Sequence, residues 1–150
     1  MESTIRLAHQ DDAEDISAVI VSALRETNAK DYSPEIIARV EQSFGVAAIG
    51  RLIESRTVLV ATRNGEIVGT ASLDGQVVRT VFVVPAIHGQ GVGSQLMAHV
   101  EQIARTKGIG VLTVPSSVTA EPFYSKLGFV AVRDSYYGDE RTIIMERRLE

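Results

Sequence analysis

Two dipeptides punctuate one long β-rich stretch, residues 57–85, TVLVATRNGEIVGTASLDGQVVRTVFVVP: Asn64-Gly65 and Asp74-Gly75. Each is a two-residue hairpin signal, since tight hairpin turns need positive φ, which Gly adopts freely and Asn or Asp at small cost. Three consecutive antiparallel strands follow from them. The third strand stops at Pro85, and the chain then passes through Gly89, Gly91 and Gly93 into an amphipathic stretch. There Leu96, Val100 and Ile103 recur at i, i+4 and i+7, which predicts a helix over 91–107 stopped by Gly108. A β-meander thus feeds a glycine-rich strand-to-helix loop.

The remaining chain supplies elements around this centre. TIRLA (4–8) alternates like a short strand. Asp11 and Asp12 stand at N-cap positions ahead of EDISAVIVSALRET, whose Ile16, Val19, Ile20, Ala23 and Leu24 share one helical face. YSPEIIARVEQSF starts a second helix, with Ser33 as N-cap and Pro34 at the first helical position. Gly45 interrupts it, and VAAIGRLIES resumes as a short helix. Downstream, IGVLTV (109–114) reads as a buried strand and SVTAEPFYSKLG as a helix ending at Gly128. FVAVRDSYY and RTIIMERRL pair across Gly138. The predicted order is β-α-α-β-β-β-α-β-α-β-β: an α+β fold, a mixed, mostly antiparallel sheet flanked by helices, in a single domain over residues 1–150.

Composition narrows the function classes. A formal net charge of −4 argues against a nucleic-acid binder, which needs a basic surface, but not against a small anionic cofactor. With no cysteine, a thiolate metal site and a cysteine nucleophile are excluded. His9, His88 and His99 lack zinc-site spacing, so no metal is expected. MESTIRLAHQDD has no apolar signal core, and no apolar run approaches the roughly 20 residues of a membrane span. A cytoplasmic location is the expectation, with no membrane partner.

HGQGVGSQL matches neither the dinucleotide fingerprint nor the nucleoside-triphosphate P-loop, having G-x-G-x-G spacing and no Lys-Ser/Thr pair. It reads either as a tight turn that glycine permits or as a phosphate cradle. For the cradle, a helix beginning here leaves N–H groups without intrahelical partners at the positive end of its dipole, and phosphate oxygens satisfy such groups.

Val83-Val84-Pro85 followed by His88-x-x-Gly91-x-Gly93 resembles the central motif of the GNAT superfamily of acyl-CoA-dependent N-acetyltransferases. AEPFYSKLGF (120–129) resembles the second GNAT motif, and the two stand in the family's order. The resemblance implies an acetyl-CoA site. The strand before the loop would splay at a bulge and pair with the pantetheine arm through Phe82, Val83 and Val84. His88, Gly89, Gln90, Gly91, Val92, Gly93 and Ser94 would hold the pyrophosphate, and Ser117 would reach the pantetheine arm or a water. Tyr124 would be the catalytic acid protonating the coenzyme A thiolate, a role suited to a phenol with an ordinary pKa of about 10. The partners implied are acetyl-CoA and an amine acceptor, and homodimers are common in the family.

Three departures from the family's pattern stand out. QVVRTVFVVP carries no carboxylate where many members place a Glu base, leaving Asp74 as the nearest acid and Thr80, Ser116 or Ser117 as anchors for a water relay. His88 replaces the usual Arg or Gln, and Ser117 replaces a frequent Asn. For the acceptor, NAKDYSPEI and DSYYGDER offer Tyr32, Tyr136 and Tyr137 as pocket walls and Asp31, Asp139 or Glu140 as attractors of a cationic amine, or these are ordinary solvated loops. An N-acetyltransferase is the first expectation. A non-catalytic acyl-CoA sensor is the second, and a different phosphate-ligand domain the third.

Overall fold

The computed structural model describes residues 3–149. Asn64 (φ +52) and Gly65 (φ +79) both take left-handed backbone, the type I′ geometry that joins β2 (Thr57–Arg63) to β3 (Glu66–Asp74). The second hairpin turns one residue later than the dipeptide suggested. Asp74 still pairs with Val77, so Gly75 (φ +61) and Gln76 form the turn into β4 (Val77–Val83). Positive φ at the first turn position alone suits glycine there.

The sheet has the order β1-β2-β3-β4-β5-β7-β6, with β1 at Thr4–Leu7, β5 at Val111–Ser117, β6 at Val130–Tyr137 and β7 at Glu140–Arg148. Only β4 and β5 pair in parallel. β5 runs later than expected, through Pro115. The helices are α1 (Ala13–Glu26), α2 (Pro34–Glu41), α3 (Val46–Ser55), α4 (Val92–Thr106) and α5 (Glu121–Lys126). The second helical unit of the expected order is therefore two helices, broken at Gly45, whose extended backbone caps α3.

Period-two alternation in β2 explains the layers. Val58 and Val60 pack with Ile16, Ile20, Ile37 and Ile49 from α1, α2 and α3. Leu59 and Ala61 face the other way, onto Leu96, Met97 and Val100 of α4. Both faces of the central sheet are thus covered.

Local capping follows the sequence at Ser33, whose hydroxyl accepts the Ile36 N–H at 3.2 Å with Pro34 next. Asp12 acts differently from the expected helix cap. It closes back on the preceding turn, accepting the His9 N–H at 2.7 Å and two Arg6 bonds at 2.8 and 3.1 Å. Gly108 (φ +77) ends α4 with Ile109 N–H to Ala104 O and Gly108 N–H to Arg105 O, a Schellman motif.

Candidate active site

β4 leaves β5 for two reasons written in the chain. Against β3, Ser72 pairs with Arg79 but Thr70 pairs with Phe82, so β4 carries one extra residue at this point. Thr80 sits in that bulge at φ +57, a strained conformation for a β-branched residue. β4 and β5 share only the Val77–Thr113 pair, ahead of the bulge, with Thr113 N–H bonded to Gln76 O at 3.0 Å. Pro115, two residues further on, turns its nitrogen to the same side as Thr113 and has no N–H to give. The ladder ends there, and a wedge opens between the two strands.

The bulge also decides which backbone groups face the wedge. Val84 donates its N–H to Val68 O at 2.9 Å, so Val84 and Phe82 direct their backbone groups to β3. Val83 and Val81 face the open side. Phe82 contributes its ring instead, edge-on to Phe44 at 6.0 Å. His88 Nε2 lies 2.8 Å from Val83 O, so the ring sits on a carbonyl of the open edge.

The loop continues through a single 3-10 turn at Pro85–Ile87, then Gly89 (φ +80) and Gly91 (φ +85). The first α4 bond runs from Gln95 N–H to Gly91 O, leaving the N–H groups of Val92, Gly93 and Ser94 without intrahelical acceptors. Gly93 is needed for space: a Cβ there would lie 3.1 Å from the Phe123 ring. Gln90 is held from outside the cavity by Arg63 Nη1 at 2.6 Å, and Arg63 Nε is itself bonded to Ser3 Oγ at 2.8 Å.

α5 presents Tyr124. Gly128 (φ +91) closes this helix with Gly128 N–H to Ser125 O and Phe129 N–H to Tyr124 O, again a Schellman motif. The turn carries Phe129 against the Tyr124 ring, and Phe123 packs edge-on to the same ring at 5.1 Å. Tyr124 is 4% exposed, and burial pushes its phenol well above the usual tyrosine range. Its hydroxyl bonds to no described residue.

These parts line one cavity of about 650 Å³. Of the expected residues, Phe82, Val83, His88, Gly89, Gly91, Val92, Gly93, Ser94, Ser117 and Tyr124 line it, whereas Val84 and Gln90 do not. Ser117 Oγ accepts the Ala120 N–H at 3.1 Å, and Ser116 Oγ bonds Ser117 O at 2.8 Å. Thr80, Ser116 and Ser117 all reach the cavity, but Asp74 lies outside it at the end of β3, 3.3 Å from Arg79.

Around the acceptor side, Tyr32 accepts the Val118 N–H at 2.7 Å and donates to Arg141 O at 2.9 Å. It is a strap across the β5–α5 loop, reinforced by Thr119 Oγ1 to Asp31 at 2.8 Å. Tyr136 and Tyr137 point outward, 64% and 70% exposed, with Arg39 stacked 4.7 Å over Tyr137. They form no pocket wall. Glu140 is the one carboxylate residue among the described residues that line the cavity, and Arg39 engages it at 2.9 Å. Asp139 lies outside the lining, and no cluster of potential metal ligands occurs among the described residues. Sequence reasoning passed over Val81, Asn28, Phe123 and Lys126, which also line the cavity. Phe123 and Lys126 lie inside the recognised FYSKLGF run, Asn28 inside the acceptor stretch NAKDYSPEI and Val81 inside QVVRTVFVVP, but none was singled out.

The fold recurs in known proteins. The chain is 30% identical over 129 residues to the uncharacterized N-acetyltransferase YafP of Escherichia coli K12, covering 86% of this chain and 82% of that one. A GCN5-related N-acetyltransferase from Rhodopseudomonas palustris superposes with a TM-score of 0.93 at 28% identity, covering 99% and 97% of the two chains. The PaiA N-acetyltransferase from Thermoplasma acidophilum, solved with coenzyme A, gives 0.85 at 21% identity over 99% and 100%, a likeness of fold. Residues 28–146 match the acetyltransferase (GNAT) domain family. With the splayed strands and both motifs on the same cavity, the chain belongs to the GNAT family of acetyltransferases.

Proposed function

We propose that this chain moves the acetyl group of acetyl-CoA onto a primary amine by direct attack on the thioester. The observation that carries the reading is the lone Val77–Thr113 ladder pair, beyond which both strand edges line one cavity. An extended, amide-rich arm fits such a wedge as an added strand would. The residues present fit the group. Val81 and the Val83 N–H offer open-edge backbone, the N–H groups of Val92, Gly93 and Ser94 offer a cradle for pyrophosphate, and Lys126 adds a cation at the cavity.

When bound, acetyl-CoA supplies the activated thioester. The chain's own residues orient it, exclude water and hold one proton. A free alkylamine has a pKa of about 10.4, so its neutral form costs on the order of 4–5 kcal/mol at pH 7. The cavity's apolar walls lower that cost by disfavouring the ammonium, with no unpaired carboxylate required. As the new C–N bond forms and the C–S bond breaks, Tyr124 gives its proton to the departing sulfur. The amine's surplus proton leaves to solvent, from which the phenol is restored. Burial raises the phenol's pKa, and it shifts a thiol in the same cavity in the same direction.

The test is free-thiol release from acetyl-CoA with a panel of amines. Amine-dependent turnover supports transfer. The pairing of Glu140 with Arg39 favours one rival, a non-catalytic acyl-CoA sensor, and tight binding without turnover on any amine would establish it. Absence of acetyl-CoA binding sinks both.

A further inference from the structure

We infer that the acceptor is a primary monoamine carried on an apolar body, with Asn28 as its polar contact. This rests on the transfer reading above and names the substrate class of the same cavity. On the side away from the glycine loop, the walls are Leu24 of α1, Ile36, Ile37 and Val40 of α2, Phe44 and Phe82. Leu24, Ile36 and Ile37 are buried, and the other three are half-buried against the same cluster. The Phe44–Phe82 edge contact closes this wall at the bulged end of β4.

Charge is scarce around it. The charged side chains lining the cavity are Lys126 and Glu140, with His88 beside the glycine loop, and Glu140 is engaged by Arg39. A polyamine would carry further ammonium groups into this wall with no free carboxylate to meet them, which is strongly unfavourable. An amino sugar would bring several hydroxyls, each needing a partner. Tyr32, the obvious one, already spends its hydroxyl on Val118 N–H and Arg141 O.

Of the two buried polar side chains that line the cavity, Ser116 is bonded to Ser117 O and Asn28 is the one left available. It is 8% exposed, lines the cavity, and its side-chain amide bonds to no described residue. Its amide atoms open into the cavity, so a ligand can take the place of water there as their partner. Being neutral, the amide accepts an amine N–H without favouring the charged form as a carboxylate would. That suits a nucleophile which must be neutral to attack.

The experiment is an alkylamine series, propyl- to hexylamine, with acetyl-CoA and thiol release as readout. Spermidine and glucosamine 6-phosphate serve as comparators. Ligand-observed NMR on the protein, with and without coenzyme A, reads amine binding apart from turnover. Each buried methylene is expected to raise kcat/KM about fourfold. Hexylamine should exceed both comparators at least about tenfold, the order by which a pocket discriminates apolar contacts. Val40→Glu should flatten the series, and Asn28→Ala should raise KM for every member while preserving the slope.

A flat or falling series in both readouts, or preference for spermidine or the sugar, overturns the inference. So does a preference for hexanoyl-CoA over acetyl-CoA with a flat amine series, which would assign the wall to the acyl chain. Chain-length-dependent amine binding without acetyl-CoA binding or thiol release supports the amine pocket and overturns the transfer reading.

Discussion

The ring of Tyr124 stands edge-on to that of Phe129, 5.6 Å between centroids and 68° between planes. Gly128, at φ +91, lies between the end of α5 and Phe129 and makes this contact reachable. An alanine there adopts left-handed backbone at a cost of about 1–2 kcal/mol. Gly128→Ala should lower unfolding free energy by that amount in urea titrations. An unchanged midpoint would show that the turn tolerates a Cβ.

Tyr124→Phe removes one oxygen and leaves the ring packing in place. If the phenol is the acid, kcat should fall about 100-fold or more, with acetyl-CoA affinity nearly unchanged. Burial raises the phenol's pKa, so its neutral form persists through the pH range, near about 10, where free tyrosine ionises. The wild-type kcat should therefore show no alkaline decline up to about pH 10 from this group. A decline below that pH, abolished by Tyr124→Phe, would contradict the assignment.

Gly93 answers a different constraint, since its φ is ordinary and its missing Cβ is what matters. A methyl group would meet two Phe123 ring carbons at 3.1 Å each. Gly93→Ala should push the start of α4 away from α5 and weaken acetyl-CoA binding about tenfold, a loss on the order of 1.4 kcal/mol. Calorimetric titration checks it. Unaltered affinity would mean that Phe123 yields freely.

How far the chain announces this site depends on which contacts are local. Asn64-Gly65 and the Ser33-Pro34 start were legible because a dipeptide decides each. FYSKLGF was legible as a motif, and the structure supplies its reason in the Gly128 turn. Thr80 was not. Threonine disfavours positive φ, and only the pairing of β3 on both sides of the bulge forces it there. That extra residue reverses parity, so Val81 and Val83, rather than Phe82 and Val84, face the wedge. The Arg39–Glu140 pair spans 101 positions of sequence and is invisible to any local reading.

Asp12 links acid sensitivity to the entry of α1. The Arg6 hydrogen bonds, aided by the His9 N–H, hold its carboxyl below the usual aspartate range despite partial burial. A lowered folded pKa means stability that is present above the unfolded value, about 3.9, and lost as pH falls through the folded one. Asp12→Ala should cost about 1–2 kcal/mol at pH 7, the range of a lost cap and charge-assisted bonds. The gap from wild type should close as pH drops below about 4. A gap independent of pH would place the effect elsewhere.

Thr80 is where stability and function should part. Its left-handed backbone costs about 1–2 kcal/mol, and its hydroxyl recovers little from Arg56 Nη1 at 3.4 Å. Glycine removes that strain but adds unfolded-state entropy worth about 0.4–1 kcal/mol. Thr80→Gly should therefore be as stable as wild type or up to about 1 kcal/mol more stable. The bulge would then be free to relax, and the strand edge carrying Val81 and Val83 would lose its fixed direction. Acetyl-CoA affinity should fall several-fold while the melting temperature holds or rises. A variant that loses both together would make Thr80 an ordinary structural residue, and one that keeps both would remove strain from the account of the wedge.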